Sequence, residues 1–402
     1  MATENNNKTL NVPNLRFPEF SGEWERSSLG VVFCKVENGL TYDPNNSEGL
    51  PVTRIETISD RSINYKRVGY AKDDGKLSKY KMEPGDILFS HINSLKHIGK
   101  TAYYDGEHPL YHGMNLLLLR TTNEESARFL FYQLNTSRFL HRCQVLANQA
   151  VNQASINTRE LKGITLHKPS IKEQIKIADF ISLLDNRIAT QIKIIEKLES
   201  LIRGLITDVN SGRIAQCKSV YLRDLLTEQH EKNTNNYEVC SVSVSQGVIN
   251  QIDYLGRSFA AKEVLHYNVV NCGDIVYTKS PTGEFPYGIV KRSDITKPVA
   301  VSPLYGVYRP INDYVGKYLH LYFKSPINAK NYLHKLIQKG AKNTINITNQ
   351  HFLDNKILIS EKGWLENIVN FAAAIEMKIA TENKVLQTLQ QQKDYLLSKM
   401  FI

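Results

Sequence analysis

Apolar residues between positions 171 and 209 recur in alternating steps of four and three, which predicts one long helix with a narrow apolar seam. The same spacing returns 191 residues later, where Ile188-Ala189-Thr190 reappears as Ile379-Ala380-Thr381. Even the polar interruption of the first seam, Gln191, has a counterpart in Glu382. Because so narrow a seam needs a second helix, the pattern indicates an internal duplication in which each copy ends in a coiled-coil helix.

The order of the parts predicts how the two helices are arranged. A helix from 171 to 209 is about 58 Å long at roughly 1.5 Å per residue. It leaves the first globular segment and ends where the second begins, so the second helix must run back antiparallel to it, with a domain at each end and a pseudo-twofold axis across the middle. We expect Gln191 and Glu382 to lie close together and to set the register, as buried polar seam residues can.

Outside the long helices, short strand-like runs alternate with turn residues in the same order in both halves. The run Gly85-Asp86-Ile87 returns as Gly273-Asp274-Ile275. One helix is predicted over 127–143, and two are predicted over 313–323 and 329–338. The predicted fold class is α+β, with two similar globular domains separated by an antiparallel pair of long coiled-coil helices. The predicted boundaries are a disordered lead-in at 1–11, globular domains at 12–168 and 213–359, and long helices at 169–212 and 360–402.

Composition places the chain among soluble globular proteins. Its 402 residues suit two domains, and 42% of them are hydrophobic and 22% charged. No apolar run approaches the roughly 20 residues that a bilayer span needs. The polar stretch 1–10 predicts no signal peptide. The 5 cysteines are widely spaced without a Cys-x-x-Cys pair, which favours reduced thiols in a cytoplasmic protein and argues against zinc.

The net charge of +10 lies in the two globular segments. Lysine and arginine exceed aspartate and glutamate by 3 in residues 12–168 and by 7 in residues 213–359, whereas both long helices are neutral. This division suggests that the domains contact a polyanion and that the helices contact protein. For the first domain alone, an excess of 3 is also what ordinary surface composition would give.

A search for catalytic and metal motifs finds none that is complete. Residues 98–101 resemble the end of a phosphate-binding loop, but Ser94 occupies the required first glycine position. His108 and His112 have a helical metal spacing, yet Pro109 lies between them and no further ligands complete a site. Neither a glycine-rich dinucleotide motif nor the Asn/Asp-Pro-Pro-aromatic motif of amino-methyltransferases is present. We therefore predict no catalytic residues, no metal and no cofactor in this chain.

Polar loops at equivalent places in the two halves are better candidates for function. Asn and Gln can bond adenine, Lys and Arg can bond guanine or phosphate, and Thr can contact a thymine methyl group. Loops of this composition are usually solvated turns, but their recurrence in two basic domains favours DNA contact. The candidates of the two loops are Asn148, Gln149, Asn152, Gln153 and Asn157, and Lys339, Lys342, Asn343, Thr344 and Asn346. Those that follow the two Gly-Asp strands are His91, Asn93, Lys96 and Lys100, and Lys279 and Thr282.

Three features together resemble a known family. They are the opening Leu15-Arg16-Phe17-Pro18-Glu19-Phe20 with Gly22-Glu23-Trp24 and Leu29-Gly30, the Gly-Asp-Ile strand in both halves, and the long helix that closes each half, the first introduced by Glu173-Gln174. In these features the chain is similar to the specificity subunit of Type I restriction-modification systems. One departure is His91, which stands where the family leads us to expect an arginine.

The resemblance implies two target-recognition domains, each reading one half of a bipartite asymmetric site on double-stranded DNA. The helices would dock two modification methyltransferase subunits, and restriction (motor-nuclease) subunits would join the complex. S-adenosylmethionine and ATP with Mg would then belong to partner subunits, and this chain would be a non-catalytic specificity subunit. We expect the outward helix face with Lys176, Arg187, Lys193 and Lys197 to bind the methyltransferase.

Two other readings stay open at this stage. The chain could be a free-standing DNA-binding regulator or architectural protein that self-associates through its helices, or a methyltransferase with an unrecognised cofactor site. Adjacent methyltransferase and helicase-nuclease genes would favour the specificity subunit.

Overall fold

The computed structural model describes residues 11–150, 153–213, 216–256, 263–339 and 345–402. Except for Asn11, the predicted disordered lead-in lies outside these residues. The chain forms two compact units, Met1–Ile192 with Lys384–Ile402, and Lys193–Asn383. Both long helices pass from one unit into the other, so each unit contains part of both helices.

The first unit begins with short strands and ends in a long helix. Its strands are β1 (Glu25–Ser28), β2 (Phe33–Asn38), β3 (Leu50–Val52), β4 (Ile58–Ser59), β5 (Ser62–Ile63), β6 (Gly69–Ala71), β7 (Ile87–Phe89), β8 (Ile92–Asn93), β9 (Thr101–Tyr103), β10 (Leu117–Thr121), β11 (Asn148–Ala150), β12 (Gln153–Ser155) and β13 (Thr165–Lys168). Its helices are α1 (Leu29–Val32), α2 (Ala127–Leu134), α3 (Ser137–Leu146), α4 (Thr158–Gly163) and the start of α5 (Ile171–Asn210).

The second unit has the same order of parts. Its strands are β14 (Cys217–Tyr221), β15 (Leu226–Glu228), β16 (Cys240–Ser243), β17 (Gly247–Asn250), β18 (Asn268–Val270), β19 (Ile275–Thr278), β20 (Ile289–Arg292), β21 (Val299–Val301), β22 (Gly306–Pro310), β23 (Gln338–Lys339), β24 (Ile345–Asn346) and β25 (Lys356–Ser360). Its helices are α6 (Gln251–Leu255), α7 (Asp313–Lys324), α8 (Pro326–His334), α9 (Asn349–Phe352) and the start of α10 (Lys362–Lys399).

The sheets carry the duplication. A four-stranded antiparallel sheet in the order β2-β10-β7-β9 recurs as β15-β22-β19-β20, and the pair β1-β13 recurs as β14-β25. Each central strand is buried on both faces: Ile87 and Phe89 pack with the helices, whereas Leu88 packs on the opposite side with Met82 and Leu118. Side chains alternate along a strand, so this burial explains the continuous apolar run after each Gly-Asp.

The structure has two helices where one was predicted, and another helix begins earlier in the chain than predicted. Residues 127–143 form two helices, because the Thr136 hydroxyl accepts a hydrogen bond from the Phe139 N–H and starts α3. In the second half Ser325 caps α8 in the same way, and Pro326 is its first residue. A proline is tolerated there because the first helical N–H has no partner within the helix.

Within each unit the two long helices pack on the domain core. In the first unit, Ile177 and Ile181 of α5 share one apolar cluster with Leu397 and Met400. In the second unit, Ile206 and Val209 share a cluster with Ile368 and Ala372 of α10. The beginning of α5 therefore packs with residues at the end of α10, and the end of α5 packs with the beginning of α10, as expected for antiparallel helices. No described helix has a segment long and apolar enough to span a bilayer.

Candidate nucleic-acid interface

Two polar segments that are far apart in the sequence lie side by side in the first unit. Strand β8 pairs with β12, with Asn93 opposite Ala154, and β12 pairs with β11, with Gln153 opposite Ala150. The result is a three-stranded sheet that presents the exposed side chains of Asn148, Gln149 and Gln153. We call this sheet, together with the 94–100 loop, the first hairpin surface.

The loop of the first hairpin surface is basic. Lys96 lies in a short 3-10 helix, Leu95–His97, and both Lys96 and Lys100 are exposed. Partial burial and the charges of Lys100 and Lys96 lower the pKa of His97. Positive charge therefore gathers beside the exposed amides, as contact with a polyanion requires.

His91 differs from these residues because it is buried and neutral. Its side chain is 6% exposed, and its Nε2 accepts a hydrogen bond from Asn38 Nδ2 at 3.2 Å. Its Nδ1 has no hydrogen-bond partner among the described residues. Burial lowers the pKa of His91 to about 4, so the imidazole carries no charge at neutral pH. His91 thus supports the loop without offering a cation.

Two predicted base-reading residues also have structural bonds. Asn93 Oδ1 accepts the Ser94 N–H at 2.8 Å, and its Nδ2 donates to Ser90 Oγ at 3.2 Å. Asn157 caps α4, because its Oδ1 accepts the Arg159 N–H at 2.8 Å. These hydrogen bonds hold the backbone where the chain leaves β8 and shortly after it leaves β12.

A second hairpin occupies the matching place in the second half. Strand β23 pairs with β24, with Gln338 opposite Asn346 and Lys339 opposite Ile345. The predicted contacts Asn152, Lys342, Asn343 and Thr344 lie outside the described residues.

Lys279 and Thr282 follow β19. Lys279 is exposed directly after the strand. The Thr282 N–H donates to the Phe285 carbonyl at 3.1 Å, and the Phe285 N–H donates back at 2.9 Å. These bonds close a tight turn, which holds Thr282 at its start.

A duplicated ion pair holds the strands that lead into these loops. The Asp86 carboxylate accepts Arg120 Nε at 2.7 Å and Nη2 at 2.8 Å, and it raises the pKa of that guanidinium. Asp274 accepts Arg309 Nε at 3.2 Å in the same way. The sequence did not suggest a role for either arginine, although each is the second-to-last residue of the apolar strand beside its Gly-Asp strand. Each Asp of the Gly-Asp-Ile run therefore ties the start of its strand to the neighbouring strand.

The opening motif is tied to the start of α5. Glu173, 1% exposed, accepts Arg16 Nε and Nη2, each at 2.7 Å, and the Trp24 indole N–H at 3.3 Å. Gln174 donates to Glu125 at 2.8 Å and accepts the Ser126 N–H at 3.0 Å. The motif and the Glu-Gln pair thus form one buried polar junction between domain and helix.

The four residues expected to bind a partner lie along α5, and all are exposed. Lys176 is already used within the chain, since it pairs with Glu19 and lies 5.0 Å from the centre of the Phe17 ring. Arg187 borders an open groove of about 780 Å³ between α5 and the last turns of α10. The remaining two, Lys193 and Lys197, belong to the second unit.

The groove itself is apolar and was missed in the sequence. Its exposed hydrophobic side chains include Leu183 and Tyr395, which are 62% and 59% exposed. The sequence signal that could have revealed the groove is the set of apolar residues that lie outside the heptad seam. A patch of this kind marks a protein contact more often than a free surface.

No cluster of three His, Cys, Asp or Glu side chains able to hold a metal occurs in the described part of the chain. The described geometry instead defines a duplicated protein with a polar hairpin in each domain.

Comparison with known proteins shows a family similarity over part of the chain. Residues 21–200 match the model of the Type I restriction modification DNA specificity domain. The match bears out, over this segment, the resemblance to Type I specificity subunits inferred from the sequence.

Two curated relatives align with part of the chain. A Methanocaldococcus jannaschii protein, named as a type I restriction enzyme MjaX specificity subunit, is 39% identical over 217 residues, 53% of this chain and 51% of that protein. The StySPI specificity subunit of Salmonella potsdam is 24% identical over 194 residues, 47% of this chain and 40% of that protein. The chain thus spans about half the length of the curated relatives it matches.

The fold match extends over both halves. The S subunit of a Type-I restriction-modification system from M. genitalium aligns with a TM-score of 0.55 and 14% identity, over 97% of this chain and 99% of that one. This match confirms the predicted α+β fold class with its two similar domains and long helices.

Proposed function

We propose that this chain is the sequence-specific DNA-binding subunit of a Type I restriction-modification complex, with each domain reading one half of a bipartite, asymmetric site. The observation that carries the proposal is the duplicated frame: one ion-paired sheet appears twice, and each copy leads to its own polar hairpin. The hairpins differ in residues, so the two half-sites differ in sequence.

The reaction chemistry belongs to partner subunits in this proposal. The chain positions two modification methyltransferase subunits, which supply S-adenosylmethionine chemistry, and restriction subunits, which use ATP with Mg. The first hairpin surface supports the DNA-binding role, because exposed amides capable of base contacts lie beside Lys96 and Lys100.

A domain exchange tests the reading of half-sites. The chain is co-expressed with a cognate methyltransferase, and methylated adenines are mapped by sequencing, before and after residues 213–359 are replaced by the second domain of another such protein. We expect a bipartite motif in which only one half changes. A stable complex that methylates no bipartite motif would refute the proposal, and a change in both halves would refute the modular assignment.

The apolar groove is the proposed methyltransferase contact in the first unit. The double variant Leu183→Ser with Tyr395→Ser should reduce the amount of methyltransferase that co-purifies, because it removes the two most exposed apolar side chains of the groove. Val31→Ser is the matched control, since Val31 is 64% exposed on α1 and does not border the groove. Undiminished co-purification would remove the groove from the interface. If the variant instead converted a self-associated chain to monomer, the alternative of a self-associating regulator would be favoured.

A further inference from the structure

A basic cavity in the first unit has no part in the function proposed so far. It has a volume of about 290 Å³ and lies between α3 and the strand pair β1-β13. Four basic side chains border it: Arg26 on β1, Arg138 and Arg142 on α3, and His167 on β13. No sequence pattern indicates this cavity, because it joins three separate stretches of the chain, on β1, α3 and β13.

The arrangement places basic side chains against one another. Arg26 and His167 are direct cross-strand partners, and Arg138 and Arg142 lie one turn apart on the same helix. Burial and the charges of Arg138, Arg26 and Arg142 lower the pKa of His167. Like charges one helical turn apart, such as those of Arg138 and Arg142, destabilise a helix unless an anion offsets them.

No carboxylate offsets them in the described part of the chain. None of the ion pairs there, counted to 4.0 Å, includes Arg26, Arg138 or Arg142. Arg142 Nη1 donates to the Thr165 carbonyl at 2.9 Å, which orients its guanidinium without neutralising it. The cavity is therefore bordered by three arginines that form no ion pair in the described part of the chain.

A buried amide adds a second feature that points to a ligand. Gln133 borders the cavity and is 2% exposed, and its Nε2 donates to the His167 carbonyl at 2.7 Å. Its Oε1 has no hydrogen-bond partner among the described residues. A buried acceptor without a partner is costly, and a ligand hydroxyl or a water held by a bound anion would satisfy it.

The duplication shows that the frame does not need these charges. When the two halves are aligned at the helix caps Thr136 and Ser325, Arg138 corresponds to Ile327 and Arg142 corresponds to Asn331. The outer strand pairs align Arg26 and His167 with Ser219 and Leu358, which face each other between β14 and β25. All four second-half equivalents are uncharged, so the basic set is a specific feature of the first domain.

We propose that this cavity binds a phosphate group, held by the guanidinium groups of Arg138, Arg142 and Arg26. Arginine forks match the geometry of phosphate oxygens and bind them through paired hydrogen bonds. The phosphate could come from the DNA backbone beside the first half-site or from a free phosphate compound. Helix α3 supports the DNA source, because Leu140 and Cys143 lie against Gly99 in the first hairpin surface while Arg138 and Arg142 border the cavity. Only the DNA source rests on the function proposed above.

The test uses the residues that the second half carries. The full-length double variant Arg138→Ile with Arg142→Asn is compared with wild type and with Arg67→Gln, which changes an exposed arginine of the same domain away from the cavity. Circular dichroism and the unfolding midpoint without phosphate establish that each variant is folded. If the double variant does not fold, Arg142→Gln takes its place, because it removes the charge and retains much of the side-chain length.

Two measurements separate the two sources. In the first, inorganic phosphate replaces chloride at constant ionic strength, and a ligand of the folded state raises the unfolding midpoint. In the second, the salt dependence of duplex DNA binding is measured, in which each phosphate contact contributes about 0.9 to the slope of log K against log salt. A free phosphate ligand predicts a midpoint increase in wild type and Arg67→Gln that the double variant loses, with the DNA slope unchanged. A backbone phosphate predicts a slope smaller by about 0.9 in the double variant, because one phosphate contact is lost, with the same recognised sequence.

The outcomes also separate this site from the proposed function. A phosphate response in a chain that binds no DNA would support the site and refute the DNA-binding role. Sequence-specific DNA binding with an unchanged slope in the double variant, and no phosphate response in wild type, would overturn the site and leave the DNA-binding role intact.

Discussion

Removing the buried aspartate of each Gly-Asp strand tests the duplicated frame, because the same substitution can be made twice in one chain. Asp86→Ala removes a carboxylate that accepts three hydrogen bonds: from Arg120 at 2.7 Å and 2.8 Å, and from the Glu83 N–H at 2.7 Å. Asp274→Ala removes a carboxylate bonded to Arg309 at 3.2 Å and 3.5 Å, and to the Asn271 N–H at 2.9 Å.

The two costs should differ because the arginines differ in exposure. The Arg120 side chain is 20% exposed and keeps only Glu83, itself 65% exposed, as a partner once Asp86 is removed. Breaking such a largely buried pair costs about 3–5 kcal/mol. The Arg309 side chain is 50% exposed, so water can solvate it. What remains in the second domain is mainly one unsatisfied backbone N–H, a loss of about 1–3 kcal/mol. We therefore expect the first domain to lose about 2 kcal/mol more than the second.

Native-state hydrogen exchange measures each domain separately, which matters because two domains need not unfold in one transition. The amides of β7 report the first domain and those of β19 report the second. Glu37→Ala is the control: its carboxylate is 58% exposed and 3.9 Å from Lys35, so we expect a change within about 0.5 kcal/mol. Equal losses for the two aspartate variants would refute the argument that arginine exposure sets the difference.

Four further variants test other parts of the structure. Glu173→Gln should destabilise the first domain by about 3 kcal/mol in urea unfolding, because it removes the charge from a buried carboxylate paired with a guanidinium. Lys291→Met should stabilise the second domain by about 3 kcal/mol at pH 7, because burial lowers the pKa of Lys291 to about 8. The stability of the wild type should rise from pH 8 to about 10.5, and at that pH the wild type and the variant should be equally stable. Burial lowers the pKa of His320 to about 3, so stability should fall as pH drops from about 6.5 towards 3, and His320→Asn should flatten that fall. Gln191→Leu with Glu382→Leu should allow more than one helix register in cysteine cross-linking, and an unchanged single register with unchanged stability would contradict the prediction.

The parts of the fold that local spacing determines could be predicted from the sequence. Heptad spacing predicts a helix over 171–209, and the structure has Ile171–Asn210. The strand after each Gly-Asp could also be located locally, because an uninterrupted apolar run is typical of a strand that is buried on both faces. The break in the helix over 127–143 escaped prediction, since apolar periodicity continues through Thr136 and only its capping bond marks a new start.

The polar segments of the candidate interface could be recognised in the sequence, but their packing against each other could not. The polar segment 148–157 was visible, but its pairing with β8 was not, because a strand of two residues has no periodicity. His91 was expected near DNA on the basis of its place after the strand. Its buried imidazole bonds to Asn38, 53 residues earlier, and no local pattern in the sequence contains that contact.

The charge of the first domain shows how a net value can conceal a local one. An excess of 3 positive charges over residues 12–168 resembles ordinary surface composition. In the structure, however, several carboxylates are buried in ion pairs that hold the frame, Asp86 with Arg120 and Glu125 with Lys168 among them. These pairs remove equal numbers of positive and negative charges from the surface and leave Arg138 and Arg142 without carboxylate partners in the described part of the chain. The charge available to an anion is therefore set by which carboxylates the frame has already paired, and it concentrates at the cavity and at the first hairpin surface.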